Sequence, residues 1–243
     1  MDLDALSYLY IGLAALLVGF TKTSVGGVGI LAVLLMALAI PGKASPGVLL
    51  PMLIIADLMA VAYYRRSCQW ALLRRLLPLT FIGVVLGAGL LWVLPDSHFE
   101  RWIGWIILAM LGFDLALSEA AKALAKGKVI TALAGLIAGA SSMLANAAGP
   151  VFGVYLLQMG LSKSAFVGTR SWFFLIMNIA KVPFAVALGL ITPTSLSLNL
   201  FFLPVIILGA VLGRVFLRYI NISVFKVLIR LAVLASAIRL IMV

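Results

Sequence analysis

The sequence predicts an all-α polytopic membrane protein of two inverted-topology repeats, each with a helical hairpin of short or broken helices meeting its counterpart near the midplane. Three observations predict it: a composition too apolar for a water-facing surface, apolar runs of two distinct lengths, and an internal repeat. Of 243 residues, 65% are hydrophobic and 10% charged, with a mean hydropathy of +1.27. A soluble domain is about 45–50% apolar and about 25% charged. That contrast excludes a cytosolic enzyme, a disordered tail and a nucleic-acid module. The formal charge of +11 fits the Lys/Arg excess of cytoplasmic loops, and no nucleic-acid partner is expected.

The apolar runs define the elements. In the first half they cover Leu6–Phe20, Gly29–Ile40, Gly47–Tyr64, Leu72–Leu94 and Phe99–Leu117. In the second they cover Val129–Ala145, Val151–Met159, Ala165–Leu190, Leu198–Leu217 and Val224–Met242. A full crossing takes roughly 20 helical residues. The second run of each half is about half that length, so it cannot cross alone, and short segments in corresponding positions point to discontinuous helices. The acidic start Met1-Asp2-Leu3-Asp4 is unlike a cleavable signal peptide, so the first run is expected to be retained. Arg65, Arg66, Arg74 and Arg75 follow the third run, Glu119, Lys122, Lys126 and Lys128 the fifth, and Arg214, Arg218 and Lys226 the ninth. Placing all three clusters in the cytoplasm puts the N-terminus outside, together with the Pro95–Glu100 and Thr192–Asn199 loops, and inverts the halves relative to each other.

Self-comparison supports a duplication, with residues 1–120 and 121–243 as the two membrane repeats. Pro78, Gly83, Gly87 and Phe99 recur as Pro204, Gly209, Gly213 and Phe225, 126 positions on, and Ala44, Gly47 and Asp57 recur as Ala165, Gly168 and Asn178, 121 positions on. The stretch from Thr23 to Gly29 faces that from Met143 to Gly149, displaced by about 120. Non-helical backbone at membrane depth is tolerated only where protein buries it or where it lines a cavity. Two hairpin tips would aim helix N-termini at a common centre, an arrangement that selects anions. The alternative for Gly26, Gly27 and Gly29 is close helix packing.

Polar residues cluster at these tips. Thr21, Lys22, Thr23 and Ser24 precede the first glycines, and Ser141, Ser142 and Asn146 precede Gly149. Hydroxyls, amides and backbone N–H groups can ring a small oxyanion, although Ser and Thr also bond back to their own turn. Lys22 has a second reading as a cytoplasmic positive-inside residue. In the eighth run, Arg170, Phe174, Asn178, Lys181 and Ala185 fall on one helical stripe. Cations and amides inside a membrane helix are functional by default. Arg170, near the helix start, could snorkel to the surface. Lys181 is expected to face the interior, attracting substrate or pairing with Asp57. Asp57 must pair with a cation or hold a proton, which makes it the proton-coupling candidate. Asp114 is placed near the cytoplasmic interface. Trp102 and Trp105 read as an interfacial belt, and Trp172 and Phe173 as lipid contacts or, less simply, as a cavity for an apolar substrate tail.

The single Cys68 forms no internal disulfide, and the single His98 supplies no paired imidazoles. No catalytic residue, metal site or cofactor is expected, and no nucleophilic elbow or Walker loop occurs.

The run Gly-Phe-Thr-Lys-Thr-Ser-Val-Gly-Gly-Val-Gly closing the first helix, the turn Pro-Gly-Lys-Ala-Ser-Pro-Gly, and its counterpart Gly-Leu-Ser-Lys-Ser-Ala-Phe-Val-Gly-Thr resemble the TauE/SafE family, the sulfite exporter or toluene sulfonate uptake permease family. The resemblance covers essentially the whole chain. It implies a secondary active transporter moving a small organosulfur anion (sulfite, thiosulfate, sulfoacetate or a sulfonate) by alternating access in the bacterial inner membrane, with proton coupling open. By position, the family's Gly-rich element falls on Gly26, Gly27 and Gly29, its second copy on Ala147, Ala148 and Gly149, and its turn glycines on Gly47 and Gly168. The second copy departs from the pattern with two alanines and Pro150, which breaks the symmetry of the expected site. A passive channel for anions or small solutes is the alternative from another class, and a membrane-embedded enzyme a third. The expected partners are the sulfur anion and the bilayer, and a homo-oligomer is left open.

Overall fold

The computed structural model describes residues 3–24, 29–95, 99–116, 128–157 and 159–216, with 234, 238, 241 and 242. The elements are helical throughout these residues. In chain order they are α1 (Ala5–Thr23), α2 (Gly29–Ala39), α3 (Ala44–Tyr64), a 3-10 turn (Arg65–Ser67), α4 (Trp70–Val93), α5 (Phe99–Ala116), α6 (Lys128–Ala145), α7 (Gly149–Leu157), α8 (Lys163–Ala187), α9 (Pro193–Phe201) and α10 (Leu203–Phe216). Among the described residues, four segments are long and apolar enough to cross a membrane: Ala5–Thr23, Ala44–Ser67, Trp70–Val93 and Ser164–Ala187. Their outer faces carry large exposed apolar side chains such as Leu86, Trp92 and Val93. The protein is an integral membrane protein.

Local chemistry sets the helix ends. Asp4 accepts the N–H of Ser7 at 2.8 Å and caps α1, which neutralises one of the four orphan donors of a helix start. The same hydrogen bond holds the Asp4 carboxyl below its ordinary range. Thr192 and Ser195 form a reciprocal capping box at the start of α9. α2 and α7 have 11 and 9 residues, about 16 and 14 Å at 1.5 Å per residue, roughly half the apolar thickness. The ninth run differs from its sequence reading: it divides at Phe202 into α9 and α10, bent by 50°. Pro204 lacks the N–H that would bond Leu200, and the Phe202 ring presses against Gly12, where a Cβ would lie 3.3 Å from it. Most of the run Val224–Met242, the charges at Glu119, Lys122, Lys126, Arg218 and Lys226, His98, Phe225 and the Asp114 side chain lie outside the described residues.

Two close helix pairs frame the molecule. In α1 and α10 a Cβ on Gly19 would strike the carbonyl of Ile206, one on Gly209 that of Leu16, and one on Gly213 that of Phe20. In α6 and α4 a Cβ on Gly139 would strike the carbonyl of Thr80, one on Gly83 that of Leu136, and one on Gly87 would come within 3.0 Å of that of Ala140. Each contact of the first pair maps onto the second through the 120- and 126-residue displacements. In both pairs contact positions advance together along the two chains, so the helices run parallel, at a separation only small residues allow.

Between the pairs lie α3 and α8, which are antiparallel. Gly47 meets Leu190, Asp57 meets Asn178, and the Tyr64–Ser67 turn meets Gly168. The midpoint of this crossing is therefore the contact of Asp57 with Asn178, 121 positions on.

Candidate functional site

Two chain breaks reach the centre. α1 stops at Thr23 and α2 starts at Gly29; α6 stops at Ala145 and α7 starts at Gly149. Asn146 ends α6 in the left-handed conformation, φ +52°, which asparagine tolerates better than most side chains. It thus closes the first helix of its break instead of opening the second. Gly26 and Gly27 lie outside the described residues. At Gly149 a Cβ would meet nothing within 4 Å, and at Gly29 it would meet only the Thr21 methyl at 3.6 Å. Close packing therefore accounts for neither.

A ladder of polar contacts in three groups reaches the two breaks from α3 and α8. Lys22 Nζ pairs with Asp57 Oδ1 at 2.8 Å and lies 4.1 Å from the Phe174 ring centroid. Asn178 Nδ2 donates to Asp57 Oδ2 at 2.6 Å. One turn further along α8, Lys181 Nζ donates to Ser142 O and Oγ, both at 3.0 Å, and to Asn146 Oδ1 at 2.6 Å. Asn146 Nδ2 in turn donates to Pro46 O at 3.0 Å. At the other end of the stripe, Arg170 Nη2 donates to Thr21 O at 2.6 Å and Ser24 O at 3.3 Å. The cation partner of Asp57 is thus Lys22, and Lys181 serves the α6 terminus. Lys22 is buried in this ladder, at variance with a loop position, and Arg170 is buried instead of reaching the surface.

Among the described residues the buried charged side chains are Lys22, Arg170, Lys181 and Asp57. Arg170 and Lys181 meet the carbonyl ends of α1 and α6, where the helix dipole favours a cation.

Other expected site residues point elsewhere. Thr23 Oγ1 donates to Ala210 O at 2.7 Å and fastens α1 to α10. Ser141 Oγ bonds back to Ile137 O at 2.7 Å. Thr21 Oγ1 is buried with no hydrogen-bond partner among the described residues. Phe173 is fully buried and stacks on Phe152 with ring centroids 3.6 Å apart, so lipid contact is not its role. Trp172 is half-buried against Trp70 at 5.1 Å. Phe152, unnoticed in the sequence, supplies the apolar wall behind Lys22: its ring and that of Phe174 meet edge to face at 5.7 Å. Cys68, in the turn between α3 and α4, has its thiol pushed up to about 11 by burial.

Beside Lys181 and Asn146 lies a cavity of about 10 Å³, bounded also by Pro46, Leu50, Ala185 and Leu190. That holds about one water, and a sulfur oxyanion enters only if the helices part.

Searches of curated proteins and of solved structures returned no match. The profile of the sulfite exporter TauE/SafE family matches residues 11–240, nearly the entire chain. An all-helical membrane protein with two interrupted spans thus coincides with that match along its whole length, and the chain belongs to the sulfite exporter TauE/SafE family of membrane transporters.

Proposed function

We propose that the protein is a secondary active transporter of a small organosulfur anion, sulfite, thiosulfate or a sulfonate, working by alternating access. Residues 1–120 and 121–243 act as halves of inverted topology that rock about the central ladder, with the N-terminus outside and the Arg65–Arg75 turn in the cytoplasm. The antiparallel crossing of the repeat mates α3 and α8 supports the inversion. The observation that carries the anion reading is the gathering of three buried basic side chains, Lys22, Arg170 and Lys181, where the two broken spans meet. Lys22, Ser142, Asn146, Asn178, Lys181 and Arg170 are the ligands exposed when the ladder parts, with Thr21, Ser24, Gly29 and Gly149 at the helix ends beside them. Asp57 holds the coupling proton when Lys22 releases it. A cavity beside Lys181 with room for about one water favours this cycle over an open channel.

The test is thermal unfolding of the detergent-purified protein against sulfite, thiosulfate, and alkyl and aryl sulfonates. At least one is expected to raise Tm, and Lys181→Gln to weaken its binding tenfold or more. No shift with any of them, or an affinity indifferent to Lys181, defeats the reading. In proteoliposomes, Asp57→Asn is expected to abolish the pH dependence of uptake; pH-driven uptake that survives removes Asp57 from coupling.

A further inference from the structure

The cavity beside Lys181 shares one residue, Leu190, with a second cavity of about 280 Å³. The larger one is lined by Lys43, Leu91, Trp92, Ala187 and Leu188 as well. Trp92 is highly exposed, and the lining residues come from the end of α4, the end of α8 and the residue just before α3. This cavity therefore opens at the face opposite the Arg65–Ser67 turn.

Leu190 is held between the two spaces by its backbone. The end of α8 is a Schellman motif: Gly189 adopts φ +68°, its N–H bonds Val186 O at 2.9 Å, and Leu190 N–H bonds Ala185 O at 2.8 Å. The chain thereby turns back and presses Leu190 onto Gly47, where a Cβ would strike the Leu190 carbonyl and approach its Cβ to 2.6 Å. Gly47 follows Pro46, whose carbonyl accepts from Asn146, the residue that also holds Lys181. The wedge and the buried cation are thus mechanically joined through three residues.

We propose that Leu190 is a removable plug, separating an antechamber at this face from the buried Lys181 site, and that its withdrawal opens the route for a small anion on that side. This rests on the transport reading above for the identity of the passenger, and on geometry alone for the route. The antechamber places Lys43 at its wall and Lys181 beyond the plug, so the path carries cationic groups at both ends and apolar walls of Leu and Trp between.

The route is tested without any substrate. In a Cys68→Ser background, Ala185→Cys places a thiol on the inner cavity, and an anionic, membrane-impermeant methanethiosulfonate is applied to sealed, oriented membranes. With Leu190 in place labelling is expected to be slow; Leu190→Ala should accelerate it tenfold or more from the face of the antechamber, with Leu190→Val intermediate. Unchanged labelling in both variants, or acceleration only from the arginine-turn face, overturns the plug. Leu190→Val removes a single carbon and keeps the fold if the alanine variant does not. Accelerated labelling in a protein whose Tm responds to no sulfur anion keeps the plug and discards the passenger, so the two failures are separable.

Discussion

The two chain breaks are built on one plan and wired differently. At the first, the lysine belongs to the broken helix itself: Lys22 sits in the last turn of α1 and meets a carboxylate on α3. At the second, the repeat position of Lys22 is Ser142, and the lysine comes from α8 instead. The first break runs through glycines, the second through Asn146, two alanines and Gly149. Their scaffolds, in contrast, share three glycine contacts: those of Gly19, Gly209 and Gly213 in α1–α10 correspond to those of Gly139, Gly83 and Gly87 in α6–α4. Close packing has constrained the frame of both halves alike, while charge has been distributed unequally at the place where the halves meet.

The largest effect should come from breaking the first break's ion pair. Asp57→Leu leaves Lys22 buried without its counter-charge and is expected to cost about 3–5 kcal/mol in chemical unfolding of the detergent-solubilised protein. Adding Lys22→Met should recover much of the loss, and no recovery means that the pair is not the source. The matched frame is probed next. Gly19→Ala and Gly139→Ala each place a methyl against a carbonyl and should each cost about 1–3 kcal/mol. A large loss in one and none in the other would break the correspondence between the pairs. Asn146→Gly and Asn146→Ala both forfeit the Lys181 and Pro46 bonds, so their difference isolates backbone handedness. The glycine variant should be more stable by about 1 kcal/mol, and equal stabilities would show that the left-handed turn is not retained.

Smallest of all is a rate. Cys68, with its thiol raised from 9.0 to about 11, exposes about 100-fold less thiolate at pH 8 than an unperturbed cysteine. Its alkylation should stay slow to pH 9 and climb towards pH 11. Fast labelling at pH 8 would place that turn in water.

How much of this was legible beforehand follows from what a linear pattern encodes. Run length exposed α2 and α7 as half-spans, because 11 or 9 residues cannot bridge the apolar layer whatever their context. Helical spacing placed Arg170, Phe174, Asn178 and Lys181 on one stripe, and all four are buried. Spacing within one helix does not say which neighbour faces it, so Lys181 reads as the cation for Asp57, whereas Lys22 of α1 is the one that meets it. The bend at Phe202 escaped because Phe continues an apolar run and Gly12, which receives its ring, is 190 positions away. Leu190 had a readable cue in Leu-Gly-Leu after a long helix, the signature of a Schellman end, although only the fold brings Gly47 against it. Phe173 misled in the other direction: beside Trp172 it resembled a lipid-facing pair, and stacking on Phe152 was invisible until α7 had been placed.

The meeting of Asp57 with Asn178 carries a consequence for how such a molecule can be assembled. Two identical copies of either half, brought together in the same crossing, would face an acid with an acid or an amide with an amide. The first combination sets two carboxylates against each other, each with its own Lys22; the second supplies neither a carboxylate nor Lys22, whose place is taken by Ser142. Two unlike halves, by contrast, can seat a lone carboxylate between them, answered by a lysine on one flank and an amide on the other. A homodimer could not be given that arrangement by any single point substitution.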